Sequence, residues 1–426
     1  MGLRTTAAIL AGRATRVVTR LRGGGAALPG RIALAIDPGL IERAASRLPS
    51  GVVFVSGSNG KSTTTHFLTR IVRAHGMRVF TNGSGGNLPQ GIASSMLPDV
   101  DRAGRLRADI AILEVDEAYG PKLVPLLHPR GALLLNIQVD QLNRFYDPAR
   151  VAGFLRTIAQ ACDDFVVLNA DDVSLRTLAA DVAAPISWFG VDAAAAASSA
   201  RNGLANYDDI AADAAEIADA ERAVQVTAVA GRDVTLRIAG EEHEVRLPVR
   251  GLHYAVDAAG AVEAARRILG DRFQASLAIQ ALTSTPTVYG RGEVMHVGGE
   301  DIEIVMMKNA PSLQVNLDAL DGAPEQLLIA VDEGTPDPSW IYGTDLGAID
   351  HVDVLTGTKA WQLATRFGYG DVAVGTVEPD LGRALQRFLA LPPPSRGVKT
   401  MIVNYEQMME IRRRLGQSGI EGKTNT

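Results

Sequence analysis

The chain has 426 residues, a length typical of two or three domains rather than one. Its hydrophobic content of 46% supplies enough apolar material for buried cores, which excludes a globally disordered chain. Lysine and arginine total 42 and aspartate and glutamate total 48, so the net charge of −6 gives no general attraction to nucleic acid or to an anionic membrane. The single cysteine, Cys162, excludes an internal disulfide framework and a cysteine-rich zinc site, and it favours a reducing compartment such as the cytoplasm.

The first 22 residues contain five arginines and no acidic residue, and their apolar residues recur at loosely helical spacing. This pattern predicts a basic amphipathic helix within an N-terminal helical segment over residues 1–50. Two interpretations remain open: the helix packs on its own domain, or it lies on an anionic membrane surface. No apolar stretch approaches the roughly 18 residues that cross a bilayer, so any contact with the inner membrane face is predicted to be peripheral.

Downstream, short apolar runs alternate with helical patterns, which predicts an α/β fold with a parallel sheet flanked by helices. The predicted strands are Val52–Val55, Ile110–Leu113, Ala132–Leu135 and Phe165–Leu168, and the predicted helices are Lys61–Ala74, Pro148–Gln160 and Ala255–Leu269. Residues 191–222 are rich in Ala and Asp and are predicted to form an insertion or a pair of surface helices. Short antiparallel strands are predicted after them, at Val224–Val229, Val234–Ile238 and His243–Leu247.

A second α/β series begins near Gly292. Its strands are predicted at Ile302–Met306, Gln326–Val331, Val352–Leu355 and Met401–Val403. The boundary is placed at residues 285–287. This gives a central domain over residues 51–285, with an insertion at about 191–250, and a C-terminal domain over residues 286–426.

A glycine-rich string, Val-Ser-Gly-Ser-Asn-Gly-Lys-Ser-Thr, occupies residues 55–63 between a predicted strand and a predicted helix. Backbone amides in such a turn cradle phosphate oxygens, and the start of the helix adds positive potential. Lys61 would reach the β- and γ-phosphates of a nucleotide, and the Ser62 hydroxyl would bind Mg²⁺. The complete phosphate-loop pattern has glycine where this chain has Val55.

Polar residues follow two other predicted strands. Leu113-Glu-Val-Asp-Glu117 places acids at the carboxyl end of a strand, where ligands of open α/β sheets bind, and Glu114 could hold a metal ion directly or through water. The polar string over residues 136–145 ends another strand and suits the rim of a site.

Together these residues resemble the Mur ligase superfamily, the ATP-dependent amide-forming enzymes of peptidoglycan and folate metabolism. The phosphate loop of that superfamily is commonly Gly-Thr-Asn-Gly-Lys-Thr-Thr, and residues 57–63 read Gly-Ser-Asn-Gly-Lys-Ser-Thr. Strings along nearly the whole chain also resemble the MurT group, the ligase subunits of lipid II isoglutaminyl synthase, among them Ile36-Asp-Pro38, Leu168-Asn-Ala-Asp-Asp172, Gly290-Arg-Gly-Glu293 and Ser339-Trp-Ile341. The resemblance implies a central P-loop ATPase domain of the Mur ligase type and a smaller Rossmann-like C-terminal domain.

The resemblance also implies roles for individual residues. The ATP site would consist of Gly57, Ser58, Asn59, Gly60, Lys61, Ser62, Thr63, Asn87, Asn136, Tyr254 and Asp257, with Ser62 and Glu114 on Mg²⁺. Lys61 and Arg291 would act on the transferred phosphate. Asp337 would complete the catalytic Cys-His pair of a separate glutaminase, and Asp345 is the second candidate for that role.

The chain departs from the family pattern at several positions. Tyr254 and Asp257 replace two amide residues of the adenine site, and Asn143 stands where an aspartate is usual. The zinc-ribbon cysteines of several MurT proteins are absent, so no zinc is expected.

The implied reaction is activation of the α-carboxylate of D-Glu in the lipid II stem peptide as an acyl phosphate, followed by amidation to D-isoglutamine. Ammonia would come from a GatD-like class I glutamine amidotransferase, and no nucleic acid is expected as a partner. Two alternatives remain: a Mur or folylpolyglutamate-type ligase that adds an amino acid to another carboxylate, and a degenerate scaffold that binds a glutaminase without ATP turnover. The altered positions Tyr254, Asp257 and Asn143 keep the scaffold alternative open.

Overall fold

The computed structural model describes residues 3–21, 27–82, 86–138, 148–197, 216–286, 290–320, 322–335 and 338–417. Three helices precede the first strand: α1 (Leu3–Leu21), α2 (Leu28–Ile36) and α3 (Leu40–Ala45). The helix predicted within the first 22 residues is therefore present. None of the helices in the described ranges is long and apolar enough to cross a bilayer.

Nine of the described strands form one sheet, which we call the first sheet. They are β1 (Val52–Ser56), β2 (Val79–Phe80), β3 (Ile110–Glu114), β4 (Gly131–Leu134), β5 (Phe165–Asn169), β6 (Ile186–Val191), β7 (Arg222–Ala230), β8 (Asp233–Ile238) and β9 (Glu241–Arg246). Their spatial order is β2-β3-β1-β4-β5-β6-β7-β8-β9, parallel from β2 to β7 and antiparallel from β7 to β9. Strands β1, β3, β4 and β5 are buried at every position, as parallel strands covered on both faces should be.

Helices cover both faces of the first sheet. The helices after β1 are α4 (Lys61–Ala74), α5 (Pro89–Met96), α6 (Gly120–Leu127), α7 (Pro148–Gln160), α8 (Val173–Ala179), α9 (Ala193–Ala197), α10 (Leu252–Leu269) and α11 (Ala275–Thr283). One apolar core joins the sheet to α4, α9, α10 and α11, and a second joins its other face to α1–α3 and α5–α8. A parallel sheet with helices on both faces is thus the architecture of this half, as predicted.

The remaining described strands form a second sheet with its own helices. It contains β10 (Arg291–Val297), β11 (Glu300–Met306), β12 (Leu327–Ala330), β13 (His351–Thr356), β14 (Ala373–Val377) and β15 (Lys399–Val403), in the order β10-β11-β15-β12-β13-β14. Its helices are α12 (Ala310–Asp318), α13 (Ala360–Tyr369), α14 (Leu381–Leu389) and α15 (Tyr405–Arg414). Short 3₁₀ turns lie at Asp219–Glu221, Gly270–Arg272 and Ser339–Gly343. All neighbours in this sheet are parallel except β10 and β11.

The predicted strands and helices are present with boundaries shifted by at most a few residues. The three antiparallel strands after residue 222 are also present, and they extend the first sheet through the parallel pair β6–β7. Strands β2, β6, β10 and β14 were not predicted. Residues 198–215 of the predicted insertion and residue 287 of the predicted boundary lie outside the described ranges.

The strand order of the first sheet indicates that a ligand would bind at the carboxyl end of β1. Strands β2 and β3 lie on one side of β1, and β4 and the strands after it lie on the other, so the direction of winding reverses at β1. Val55 aligns with Glu114 of β3, and Ser56 aligns with Leu134 of β4. The crevice outside the carboxyl ends of such strands is where open α/β sheets bind ligands.

A buried carboxylate, that of Asp172, anchors the segment that follows β4 at this edge of the sheet. Asp172 caps α8 by accepting a hydrogen bond from the Leu175 amide at 2.9 Å, and its other oxygen accepts one from the Ile137 amide at 2.7 Å. Burial raises the pKa of Asp172 from 3.8 to about 6. The segment that follows β4 is therefore anchored to the start of α8 by a group whose ionisation depends on pH.

This anchor predicts a pH-dependent stability. The pKa of Asp172 is higher in the folded than in the unfolded protein, so the folded state binds this proton more tightly. The contribution of Asp172 to the free energy of unfolding should therefore fall as pH rises from about 4 to about 6, by the order of 2–3 kcal/mol. Urea unfolding should detect this fall in the wild type and in the exposed control Asp163→Asn, whereas Asp172→Asn should lose it. Equal pH dependence in all three proteins would contradict the assignment.

Candidate active site

The turn between β1 and α4 has the backbone shape of a phosphate-binding loop. Gly57 and Gly60 both have positive φ, 145° and 84°, and Gly60 is the residue that precedes the first turn of α4. A side chain at Gly60 would collide with the carboxylate of Asp257 in α10. Glycine is therefore required at Gly60 both by the left-handed backbone and by the closeness of α10.

Residues that follow β4 hold this turn in place. The amide of Asn59 donates to Asn136 Oδ1 at 2.9 Å, and Asn136 Nδ2 donates back to the Asn59 carbonyl at 3.2 Å. The Ser58 hydroxyl accepts the Gln138 amide at 3.0 Å, and the Ser58 amide donates to the Asn136 carbonyl at 3.0 Å. The loop is thus clamped to the neighbouring strand end through both backbone and side chains.

Lys61 opens α4 and turns back over the loop. Its Nζ donates to the carbonyls of Gly57 and Ser58 and lies 3.0 Å from Glu117 Oε1. Both side chains of the Lys61–Glu117 pair are largely buried, at 11% and 7% exposure. The ammonium group is therefore positioned at the loop, in the place from which a phosphate-loop lysine neutralises nucleotide phosphates.

Ser62 and Glu114 meet across the strand end. The Ser62 hydroxyl donates to Glu114 Oε2 at 2.8 Å, as expected if both groups bind one cation. Asn82 fixes the backbone of Glu114 on both sides, because its Oδ1 accepts the Glu114 amide at 2.9 Å and its Nδ2 donates to the Glu114 carbonyl at 2.8 Å. Glu114 is consequently held with its carboxylate directed at the first turn of α4.

The donor set of this pair fits Mg²⁺. One hydroxyl and one carboxylate are hard oxygen ligands, and Mg²⁺ usually takes few protein ligands and completes its shell with water and phosphate oxygens. The described ranges contain no cluster of three or more His, Cys, Asp or Glu side chains placed to hold a metal.

A cleft opens beside the loop and is lined by residues of both the first and the second α/β unit. Six of the predicted nucleotide-site residues line the cleft: Asn59, Gly60, Thr63, Asn136, Tyr254 and Asp257. Tyr254 and His253 stand at the start of α10 with ring centroids 3.9 Å apart. The structure therefore brings the predicted phosphate and adenine residues to one cavity, although they are separated by almost 200 residues in sequence.

The second sheet contributes the opposite wall of the cleft through α12. Asn309 caps this helix, since its Oδ1 accepts the Ser312 amide at 3.0 Å while the Ser312 hydroxyl accepts the Asn309 amide at 2.9 Å. Ser312, Val315 and Asn316 of the capped helix line the cleft. The helix that Asn309 caps therefore begins at the cleft.

Several predicted site residues are elsewhere or outside the described ranges. Asn87 is half-buried ahead of α5 and does not line the cleft. The backbone of Arg291 opens β10 and pairs with Val305, but its side chain is not described. Asp337 and Asn143 also lie outside the described residues. Asp345 is exposed, and its Oδ1 accepts the Gly347 amide at 2.9 Å.

The sequence interpretation missed four residues that shape the site. Glu117 pairs with Lys61, Asn82 fixes Glu114, Gln138 clamps the loop, and Asp171 lines the cleft. Glu117 and Asp171 lie within strings that were singled out, so the signal for them was the acid cluster at a strand end. Gln138 lies within the polar string at residues 136–145, which was also singled out, whereas Asn82 gave no such signal, because its partner Glu114 is distant in sequence.

The cation pair yields a direct test. Mg²⁺ is expected to strengthen ADP binding by a certain factor in the wild type. We expect Ser62→Ala to reduce that factor by about tenfold to a hundredfold, since one oxygen ligand is removed while the loop backbone is unchanged. Titration calorimetry with ADP at several Mg²⁺ concentrations measures this change. Ser46→Ala, at an exposed position after α3, is the matched control. Unaltered Mg²⁺ dependence in Ser62→Ala would place the cation elsewhere.

Known proteins are similar to this chain in both sequence and fold. The family model described as the Mur ligase middle domain matches residues 55–265. The chain is 27% identical to the lipid II isoglutaminyl synthase (glutamine-hydrolyzing) subunit MurT of Streptococcus pneumoniae, over 83% of each chain. It is 24% identical to the MurT subunit of Staphylococcus aureus, over 96% of each chain.

A solved structure supports the fold independently. The MurF ligase from Thermotoga maritima in complex with ADP aligns with a TM-score of 0.62, over 89% of this chain and 83% of that one. At 16% sequence identity this likeness concerns the fold alone. With a matched middle domain and MurT relatives along most of its length, the chain belongs to the Mur ligase superfamily.

Proposed function

We propose that this chain is the ATP-dependent ligase subunit of a lipid II isoglutaminyl synthase, which converts the D-Glu α-carboxylate of the lipid II stem peptide to the amide of D-isoglutamine. The observation that carries the proposal is the joint occurrence of MurT relatives over 83–96% of the chain and an ordered phosphate loop at a two-walled cleft. The substrate is inferred from the resemblance to MurT subunits, and its activation by ATP is inferred from the geometry of the phosphate loop and the cleft.

The reaction requires activation because a carboxylate and ammonia do not form an amide at neutral pH. The carboxylate oxygen attacks the γ-phosphorus of ATP, ADP departs, and the resulting acyl phosphate is attacked by ammonia with loss of inorganic phosphate. Catalysis of phosphoryl transfer consists largely of positioning and charge neutralisation. The cleft is suited to this, because the phosphate loop forms one wall and α12 forms the other.

Each described site residue has a defined part in this scheme. Backbone amides at the start of α4, at residues 60–62, would donate to phosphate oxygens, because the amides of Ser58 and Asn59 are engaged with Asn136, and Lys61 neutralises the transferred group. Ser62 and Glu114 hold Mg²⁺, whose chemistry is to withdraw charge from the phosphate oxygens. Tyr254, which lies at the start of α10 and lines the cleft, is assigned to the base of the nucleotide by resemblance. Arg291 is assigned to the transferred phosphate by resemblance.

The ammonia must come from another subunit. Cys162, the single cysteine, is 5% exposed and donates its thiol to the Ile158 carbonyl at 3.4 Å. Burial raises the pKa of this thiol to about 12, so the thiolate that attacks glutamine is not formed at neutral pH. These properties favour a separate glutaminase of the GatD type as the partner, consistent with the word subunit in the names of the MurT relatives.

The ligase half can be tested by changing Lys61. We expect Lys61→Ala to lower ATP-dependent amidation of lipid II by at least about a hundredfold with ammonium as donor, because phosphate charge is no longer neutralised. Mass spectrometry of the product measures this loss. Lys122→Ala, which removes an exposed lysine from α6, should retain full activity. A wild-type chain that binds a glutaminase but never turns over ATP would instead support the scaffold alternative.

The partner half can be tested at Asp337. If Asp337 orients the histidine of the glutaminase, Asp337→Asn should lower glutamine hydrolysis by the complex by orders of magnitude, since an amide cannot fix the imidazole tautomer. Amidation with ammonium salt should be unchanged, because the phosphate loop is untouched. Asp345→Asn is the comparison variant. Loss of both activities in Asp337→Asn would assign this residue to the ligase reaction, and loss of hydrolysis only in Asp345→Asn would transfer the role.

A further inference from the structure

Helix α1 turns an apolar face to the solvent. Leu3, Leu10 and Val17 are 91%, 52% and 60% exposed, and Ala7 and Ala14 between them are exposed as well. These five residues recur at intervals of three and four, so they form one continuous stripe along the helix, which we call the outer stripe. Isolated exposed apolar residues are ordinary on protein surfaces, but an uninterrupted row along the described length of a helix marks an interaction surface.

The polar face of α1 is fixed against the protein. The guanidinium of Arg13 donates to the carbonyls of Leu97 and Val100 at 2.7 and 2.6 Å, and that of Arg16 donates to the Ser94 carbonyl at 3.1 Å. Ile9 is fully buried on this side, within the core that covers the first sheet. The helix therefore cannot rotate its outer stripe inward without breaking these bonds, and the stripe is presented outward by the native packing.

Positive charge is concentrated in the same part of the chain. Residues 1–47 contain eight arginines and two acidic residues, whereas the other residues contain 34 basic and 46 acidic ones. The N-terminal segment thus has a net charge of +6, against −12 for the remainder of the chain. Arg4 and Arg31 are exposed on α1 and α2. The hydrogen-bond partners of Arg13 and Arg16 are carbonyl groups, and Asp99 offsets part of the charge of these two arginines.

We propose that the outer stripe of α1 docks on the surface of an anionic lipid bilayer. The apolar side chains would enter the boundary between headgroups and acyl chains, while the net positive charge of the N-terminal segment attracts the lipid phosphates. A second copy of this chain fits less well. Stripe-to-stripe pairing would bring two arginine-rich helices together, and no acidic residue precedes Asp37 to compensate them. The proposal concerns the chain itself and does not depend on the amidation reaction.

The test uses the purified full chain and lipid vesicles. We expect co-sedimentation with phosphatidylglycerol–phosphatidylethanolamine vesicles, little with phosphatidylcholine vesicles, and weaker binding as salt rises, because headgroup charges are screened. Leu10→Asp combined with Val17→Asp should reduce vesicle binding by about tenfold or more, since two partly exposed apolar side chains no longer enter the lipid. Val294→Asp is the matched control, because Val294 is also an exposed valine, at 45%, but lies in β10.

Three outcomes would overturn the proposal. The first is equal binding by the double variant and the control at unchanged thermal stability, and the second is no binding of the wild type to anionic vesicles. The third is a wild-type dimer in sedimentation velocity that the double variant converts to a monomer, which would assign the stripe to a second copy. Because both substituted positions are exposed, we expect circular dichroism and melting temperature to stay near wild type.

Discussion

The site depends on one short turn, residues 57–60, in which the chain leaves β1 and enters α4. A turn this tight is possible only because Gly57 and Gly60 adopt positive φ. Its direction is set from outside, by Asn136 and Gln138 at the end of β4. With the turn fixed, the first turn of α4 places Lys61 and Ser62 beside the acids that end β3. The position of the whole cleft follows from this single connection.

Charge balance favours the binding of a cation at this turn in addition to its lysine. Glu114, Asp116 and Glu117 are all less than 9% exposed, and Lys61 pairs with Glu117. Like charges gathered at low dielectric repel one another strongly unless a counter-charge is near. A divalent cation at Ser62 and Glu114 would offset the remaining carboxylates. The same acids would repel a bare phosphate, so nucleotide and cation are expected to bind as one unit.

What could be predicted from the sequence was local. The phosphate loop was recognised because its glycines, lysine and serine are adjacent in the chain, and α4 was predicted with the boundaries it has. Strand β2 was not predicted because it has only two residues. Strand β14 was not predicted because its alternation of apolar and polar residues is weak and no position in it is buried. The contributions of Asn82 and Gln138 could not be predicted, because each acts through a partner more than 30 residues away. The adenine-side residues Tyr254 and Asp257 were found by resemblance rather than by pattern.

The uneven distribution of charge sets an orientation as well as an attraction. An anionic surface attracts the N-terminal segment, with its net charge of +6, and repels the remainder, with its net charge of −12. The apolar stripe of α1 adds a short-range contact on the attracted side only. Electrostatics and burial therefore favour the same pose, in which α1 faces the lipid and the strongly acidic remainder is held away from it. A uniformly basic chain of equal affinity would lack this preference, because every face would be attracted alike.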